Sequence, residues 1–145
     1  MINSFKGEYF FLSNFYPVVI EYNNLIFQSS EAAYQAQKCL VPIERLFFPN
    51  AKPGEAKRMG RSVLIRKDWE QVKDRIMREI LVNKFSNPTL QEKLLMTRGQ
   101  QLIEGNHWGD TYWGVYNGKG ENKLGKILMS IRDSLKINKE RIRKE

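Results

Sequence analysis

The feature that most constrains the fold is a helical apolar period over residues 68–81, where Trp69, Val72, Ile76, Ile80 and Leu81 fall on one stripe behind Asp68. A carboxylate suits the unpaired amides of a first turn, so Asp68 is expected to cap this helix. A second stripe of Leu124, Ile127, Leu128, Ile131 and Leu135 predicts a helix over residues 122–137. Shorter helices are expected over 30–40, from Pro42 with Ile43, Leu46 and Phe47, over 54–61 after a break at 49–53, and after Pro88 with Leu90, Leu94 and Leu95. Aromatic and β-branched side chains gather in residues 8–15 and 18–26, and Asn23-Asn24 between Tyr22 and Leu25 has turn chemistry. A small antiparallel sheet is expected there. Residues 101–103 are expected to add a short strand, and 106–122, rich in aromatic residues and glycine, a structured loop. The fold class is therefore α+β and predominantly helical, a single domain with a small antiparallel β-sheet near the N-terminus.

With 145 residues and 41% hydrophobic content, the chain can bury one core and hardly two. No uninterrupted apolar stretch approaches the roughly 20 residues of a membrane helix, and no basic segment leads into an apolar one at the start. A cytoplasmic location without a membrane partner is the expectation. Cys39 is the single cysteine and His107 the single histidine, so neither an internal disulfide nor a zinc set at structural spacing can form. No metal and no cofactor are expected, and Cys39 reads as a small core residue. The net charge of +8 favours phosphate-bearing partners. Part of it sits in Lys136, Lys139, Arg141, Arg143 and Lys144, and part in a central run of Lys52, Lys57, Arg58, Arg61, Arg66 and Lys67 that can face a phosphate.

Two segments carry chemistry. In the run Ser29-Ser30-Glu31-Ala32-Ala33-Tyr34-Gln35-Ala36-Gln37-Lys38, either serine can cap a helix, and Glu31 sits where the helix dipole favours negative charge. Glu31, Tyr34, Gln35 and Lys38 share a face at spacings of three, four and seven, while the alanines permit close backbone approach. Such a stripe is either a site or a solvated helix face. The second segment holds Trp108, Asp110, Tyr112 and Trp113 beside Gly118 and Gly120. Its rings can stack on a flat heterocycle or pack in the core. Gly118 to Asn122, leading into a helix, can cradle a phosphate or simply supply turn geometry.

Taken in order, Leu12-Ser13-Asn14-Phe15-Tyr16-Pro17, Ser30 to Lys38, Gly60-Arg61, Trp113-Gly114-Val115 and Gly120-Glu121-Asn122-Lys123-Leu124-Gly125-Lys126-Ile127-Leu128-Met129 resemble the NADAR, or YbiA-like, family over nearly the whole chain. The resemblance implies an N-glycosidase acting on a nucleotide-like small molecule. The family includes enzymes that cleave early riboflavin-pathway intermediates and others that remove ADP-ribose from guanine in DNA. It implies one NADAR-type domain over residues 1–138 with a basic tail at 139–145.

Breaking a bond between ribose C1′ and nitrogen develops positive charge on the sugar, so a carboxylate near C1′ is required. Glu31, in the most distinctive motif, is the first candidate, and Asp110, matching the acid before the Trp-Gly pair, is the second. Lys38 either holds a phosphate or attacks the sugar as an amine. Asn14, Tyr34, Arg61, Trp108, Trp113, Gly120 and Asn122 are the candidate substrate-binding residues. A different class, a non-catalytic module binding ADP-ribose or nucleic acid, stands as the alternative.

Overall fold

The computed structural model describes residues 1–144, which form two compact units: one is Asn14–Lys84, the other Met1–Ser13 with the chain from Phe85 onward. The fold is helix-dominated α+β with one two-stranded antiparallel sheet, as the sequence predicts.

In the Asn14–Lys84 unit, β1 (Ile20–Tyr22) pairs with β2 (Leu25–Phe27) in the register Ile20 with Phe27 and Tyr22 with Leu25. Asn23 and Asn24 join them at φ 51° and 65°, the left-handed pair that a two-residue hairpin turn demands. Ile20 and Phe27 are fully buried. The chain then enters helix α1 (Ser30–Ala36), where the Ser29 hydroxyl accepts from the Ala32 amide at 3.1 Å. Every residue of α1 is buried, so this helix forms the centre of the unit rather than its surface. It stops before the expected residue 40 because the backbone beyond it is drawn into another pairing. The Leu40 N–H donates to the Leu64 carbonyl and the Arg66 N–H to the Lys38 carbonyl, at 2.9 and 2.8 Å. Cys39, within this pairing, is buried as expected.

A 3-10 helix (Pro42–Phe47) follows, at the place expected, but Ile43, Leu46 and Phe47 are exposed and none of its residues is buried. Helix α2 (Pro53–Gly60) begins with a proline in its first turn, and the Lys52 N–H donates to the Glu55 carboxylate. Helix α3 (Trp69–Lys84) buries Trp69, Ile76, Met77, Ile80 and Leu81, with Val72 half-buried on the same stripe. Asp68 precedes it, but its carboxylate is taken bidentately by Arg66 at 2.6 and 2.9 Å. Its backbone carbonyl receives the Gln71 and Val72 amides.

The other unit departs from the sequence expectations at three places. Residues Gly7–Leu12 form a 3-10 helix, not a strand, and the neighbours Phe11 and Leu12 are both buried, a pattern that an alternating strand cannot produce. Gly7 opens it at φ 58°, where side-chain-bearing residues are strained. The expected strand at 101–103 is a single parallel bridge between Leu102 and Ile2. Helix α4 (Pro88–Leu95) is capped by Asn87, whose Oδ1 accepts from the Leu90 amide at 3.1 Å. Helix α5 (Lys123–Lys144) buries Leu124, Ile127, Leu128 and Ile131, while Leu135 is half-buried. The helix continues through Lys139, Arg141, Arg143 and Lys144, past its expected end near residue 137; Glu145 lies outside the described residues. Arg132 is buried on α5, and its guanidinium donates to the carbonyls of Thr97 and Gln100, each at 2.8 Å, just past the end of α4. No helix among the described residues is long and apolar enough to cross a membrane.

Candidate functional site

The polar stripe of α1 lies inside its unit. Glu31 and Gln35 are 8% and 5% exposed, which removes the solvated-face reading for both. Being four apart, they meet across one turn, and the Gln35 amide Nε2 donates to Glu31 Oε1 at 2.9 Å. The Glu31 backbone N–H donates to the Asn14 carbonyl at 3.0 Å, and the Ser30 hydroxyl donates to Asn14 Oδ1 at 2.8 Å. Asn14 itself is nearly buried, its Nδ2 directed at the Met77 sulfur 3.6 Å away. Asn14, Ser30, Glu31 and Gln35 thus form one hydrogen-bonded set that fixes the start of α1.

Lys38 lies just beyond α1, with its N–H on the Gln35 carbonyl at 3.2 Å. Burial lowers the pKa of its half-buried ammonium, against the attraction of Glu31; Arg61, Lys73 and Lys57 lower it further. Those three cations come from α3, from α2 and from its C-terminal cap, so one buried carboxylate and four cations are brought together from three helices and their ends. Lys57 also lies 5.9 Å from the centre of the Phe15 ring, and Lys73 pairs with the exposed Glu70 at 2.6 Å. Arg61 is exposed. Tyr34 is buried, its ring tilted against that of Trp69 at 5.1 Å, which gives it a core wall to form beside the polar set.

The close approach of α2 to α1 is made at Gly60. A Cβ there would sit 2.0 Å from Gln35 Oε1 and 2.8 Å from Gln35 Cδ. The Gly60-Arg61 pair therefore has a steric half and a cationic half.

The remaining sequence candidates belong to the other unit. Asp110 Oδ1 accepts from the amides of Tyr112 and Trp113 at 3.0 and 2.9 Å, and Asn106 brackets the same turn, accepting from the Asp110 N–H and donating to its carbonyl. That arrangement makes Asp110 a turn-capping group. Trp113 is half-buried edge-on to Tyr112, 5.0 Å between ring centres, while Trp108 is 50% exposed and edge-on to His107. Trp108 keeps a large accessible surface.

The amides leading into α5 are already used, since those of Glu121, Asn122, Lys123 and Leu124 donate to the carbonyls of Thr111, Gly114, Tyr112 and Trp113. Those helix-entry amides are therefore spent on the loop itself. Asn122 Oδ1 accepts from the Glu104 N–H at 3.0 Å and its Nδ2 donates to the Leu102 carbonyl at 2.9 Å. Gly120, at φ 150°, lies where a Cβ would stand 2.1 Å from the Gly114 carbonyl oxygen. Both residues shape the loop. Sequence reasoning left out Lys73 as a neighbour of Lys38 and Trp69 as a neighbour of Tyr34, because nothing in linear spacing reveals which face of α3 meets α1.

The family model described as the NADAR domain matches residues 3–136. N-glycosidase YbiA of Shigella boydii serotype 4 is 39% identical over 141 residues, spanning 94% of this chain and 88% of that protein. The riboflavin biosynthesis protein VVA0006 of Vibrio vulnificus is 37% identical over 130 residues, 86% of this chain but 35% of the relative. The NMR structure of E. coli YbiA superposes with a TM-score of 0.82 at 37% identity, covering 96% of this chain and 89% of that one. Because the family match runs through both units and takes in the α1 stripe, the Gly60-Arg61 pair and the entry to α5, the chain belongs to the NADAR domain family.

Proposed function

We propose that this protein is an N-glycosidase that hydrolyses the bond between ribose C1′ and a base nitrogen in a phosphorylated, nucleotide-like substrate. The observation that carries the reading is the buried Glu31 carboxylate acting on Lys38, around which Arg61, Lys73 and Lys57 also gather. Cleavage leaves electron deficiency at C1′ and negative charge on the departing nitrogen. Glu31 stabilises the first and takes a proton from the water that attacks C1′; the C1′–N electron pair leaves with the base, which is protonated in turn. The cations answer to a ribose phosphate, Arg61 through its planar fork. Asn14 is assigned to the ribose or base edge.

The relatives' names, N-glycosidase and riboflavin biosynthesis protein, support a ribosylaminopyrimidine phosphate as the substrate class. Lys38 favours a second route, since burial and neighbouring cations lower its pKa and so enlarge the free-amine fraction that can attack C1′ and displace the base as a Schiff base forms. Borohydride added during turnover traps that adduct on Lys38; product without an adduct leaves water as the nucleophile. The decisive test incubates the protein and its Glu31→Gln variant with a ribosylaminopyrimidine phosphate and with ADP-ribosylated guanine DNA, following released base and sugar by mass spectrometry. Loss of at least about 100-fold in Glu31→Gln is expected, given the usual contribution of a positioned acid or base. Full activity in the variant refutes the role of Glu31, and tight binding without product from either substrate supports a binding module.

A further inference from the structure

We infer that Gln35 is a positioning residue for Glu31, and that Gly60 holds Gln35 in place by having no side chain. This rests on the catalytic reading of Glu31 above. Gln35 is 5% exposed, and its two amide ends do different things. Nε2 donates to Glu31 Oε1 at 2.9 Å. Oε1 has no hydrogen-bond partner among the described residues and lies against the Gly60 backbone. The orientation of the amide is set by its partner, because the reverse orientation would turn two oxygens toward each other. A buried amide oxygen left without a donor is costly, so this pose is one that the surrounding packing enforces.

The enforcement comes from α2. A Cβ at position 60 would stand 2.0 Å from Oε1 and 2.8 Å from Cδ, so the amide at the flexible end of Gln35 would have to move, while Gln35 Cβ, 3.5 Å away, would keep ordinary van der Waals contact. An added methyl would therefore swing the amide off Glu31. Gly60 ends an α-helix and is not among the residues at positive φ, so its lack of a side chain is used for space rather than for backbone freedom. Arg61, next in the chain, lies among the cations around Lys38. The Gly60-Arg61 pair thus couples two functions: one residue orients the carboxylate and the next supplies positive charge.

The test is a double-mutant cycle on full-length protein with the ribosylaminopyrimidine phosphate, using Gly60→Ala, Gln35→Ala and the double variant. Urea midpoints are taken for each so that rates refer to folded enzyme. Gly60→Ala and Gln35→Ala are each expected to lower kcat by about 10- to 100-fold with KM little changed, because misplacing a reacting group acts on the chemical step. The double variant should be no worse than Gln35→Ala alone, since the atoms that the new methyl strikes are gone. Gln35→Leu keeps the bulk and removes the donor, so its kcat should fall likewise and the acid limb of its pH profile should move up by about one unit. Multiplicative losses in the double variant, or an unmoved acid limb in Gln35→Leu, overturn the inference while leaving Glu31 catalytic. Full activity in Glu31→Gln removes the reading beneath it.

Discussion

Lys84, in the last turn of α3, is 1% exposed, with its ammonium 5.8 Å from the centre of the Tyr16 ring. Desolvation brings its pKa from 10.5 down to about 7. Since the folded value lies below the unfolded one, the unfolded chain binds the extra proton between those limits, and stability rises with pH across that window. With those two values the proton costs the fold about 4 kcal/mol at pH 7 and about 2 kcal/mol at pH 9. Lys84→Met keeps an unbranched apolar stem and removes the titration. Urea unfolding of both proteins at pH 7 and pH 9 isolates the effect, because Lys38, which pulls the same way, and Cys39 and Tyr22, whose raised values pull the opposite way, are shared. The stability of the variant relative to the parent should fall by about 2 kcal/mol between pH 7 and pH 9, roughly a 1 M change in relative urea midpoint. Parallel pH profiles for the two proteins would show that Lys84 does not titrate in this window, and would refute the argument.

Arg132→Met should destabilise the fold by about 3 kcal/mol, because it strands the buried carbonyl of Thr97 and the half-buried one of Gln100 that the guanidinium satisfies; chemical denaturation reads this, and a change under about 1 kcal/mol would contradict it. Asn122→Ala removes both bonds to the 102–104 backbone, for an expected cost of about 2 kcal/mol. Hydrogen exchange at Glu104 should speed up in that variant, and unchanged protection would deny the side chain its fastening role.

The local grammar of the chain was legible without coordinates. The Asn23-Asn24 turn, a serine cap at residue 29 or 30, the start of α4 at Pro88, and the stripes of α3 and α5 each follow from forces acting within a few residues. Residues 8–15 misled because aromatic content signals burial but not backbone geometry, and Gly7 turns that segment into a 3-10 helix. The candidate site was legible in the same partial way. Glu31 and Gln35 stand out by spacing, since one helical turn brings them together whatever the rest of the fold does, and Lys38 follows just past the end of that helix.

What the sequence alone determined, then, is which groups could act: a carboxylate at a capped helix start, an amide one turn on and an excess of positive charge. Tertiary structure decided the environment that makes them chemical. It buried α1 on every side, shortened it by pairing residues 38–40 with 64–66, pressed Gly60 onto Gln35, and brought Lys57, Arg61 and Lys73 to Lys38. It also committed Asp110 and Asn122 to the loop's own amides and carbonyls, which their side-chain chemistry alone does not reveal. The physical reason is range. Caps and periodicity are set by neighbours along the chain, whereas burial, desolvation and charge clustering depend on segments far apart in sequence, whose contacts exist only after the core has closed.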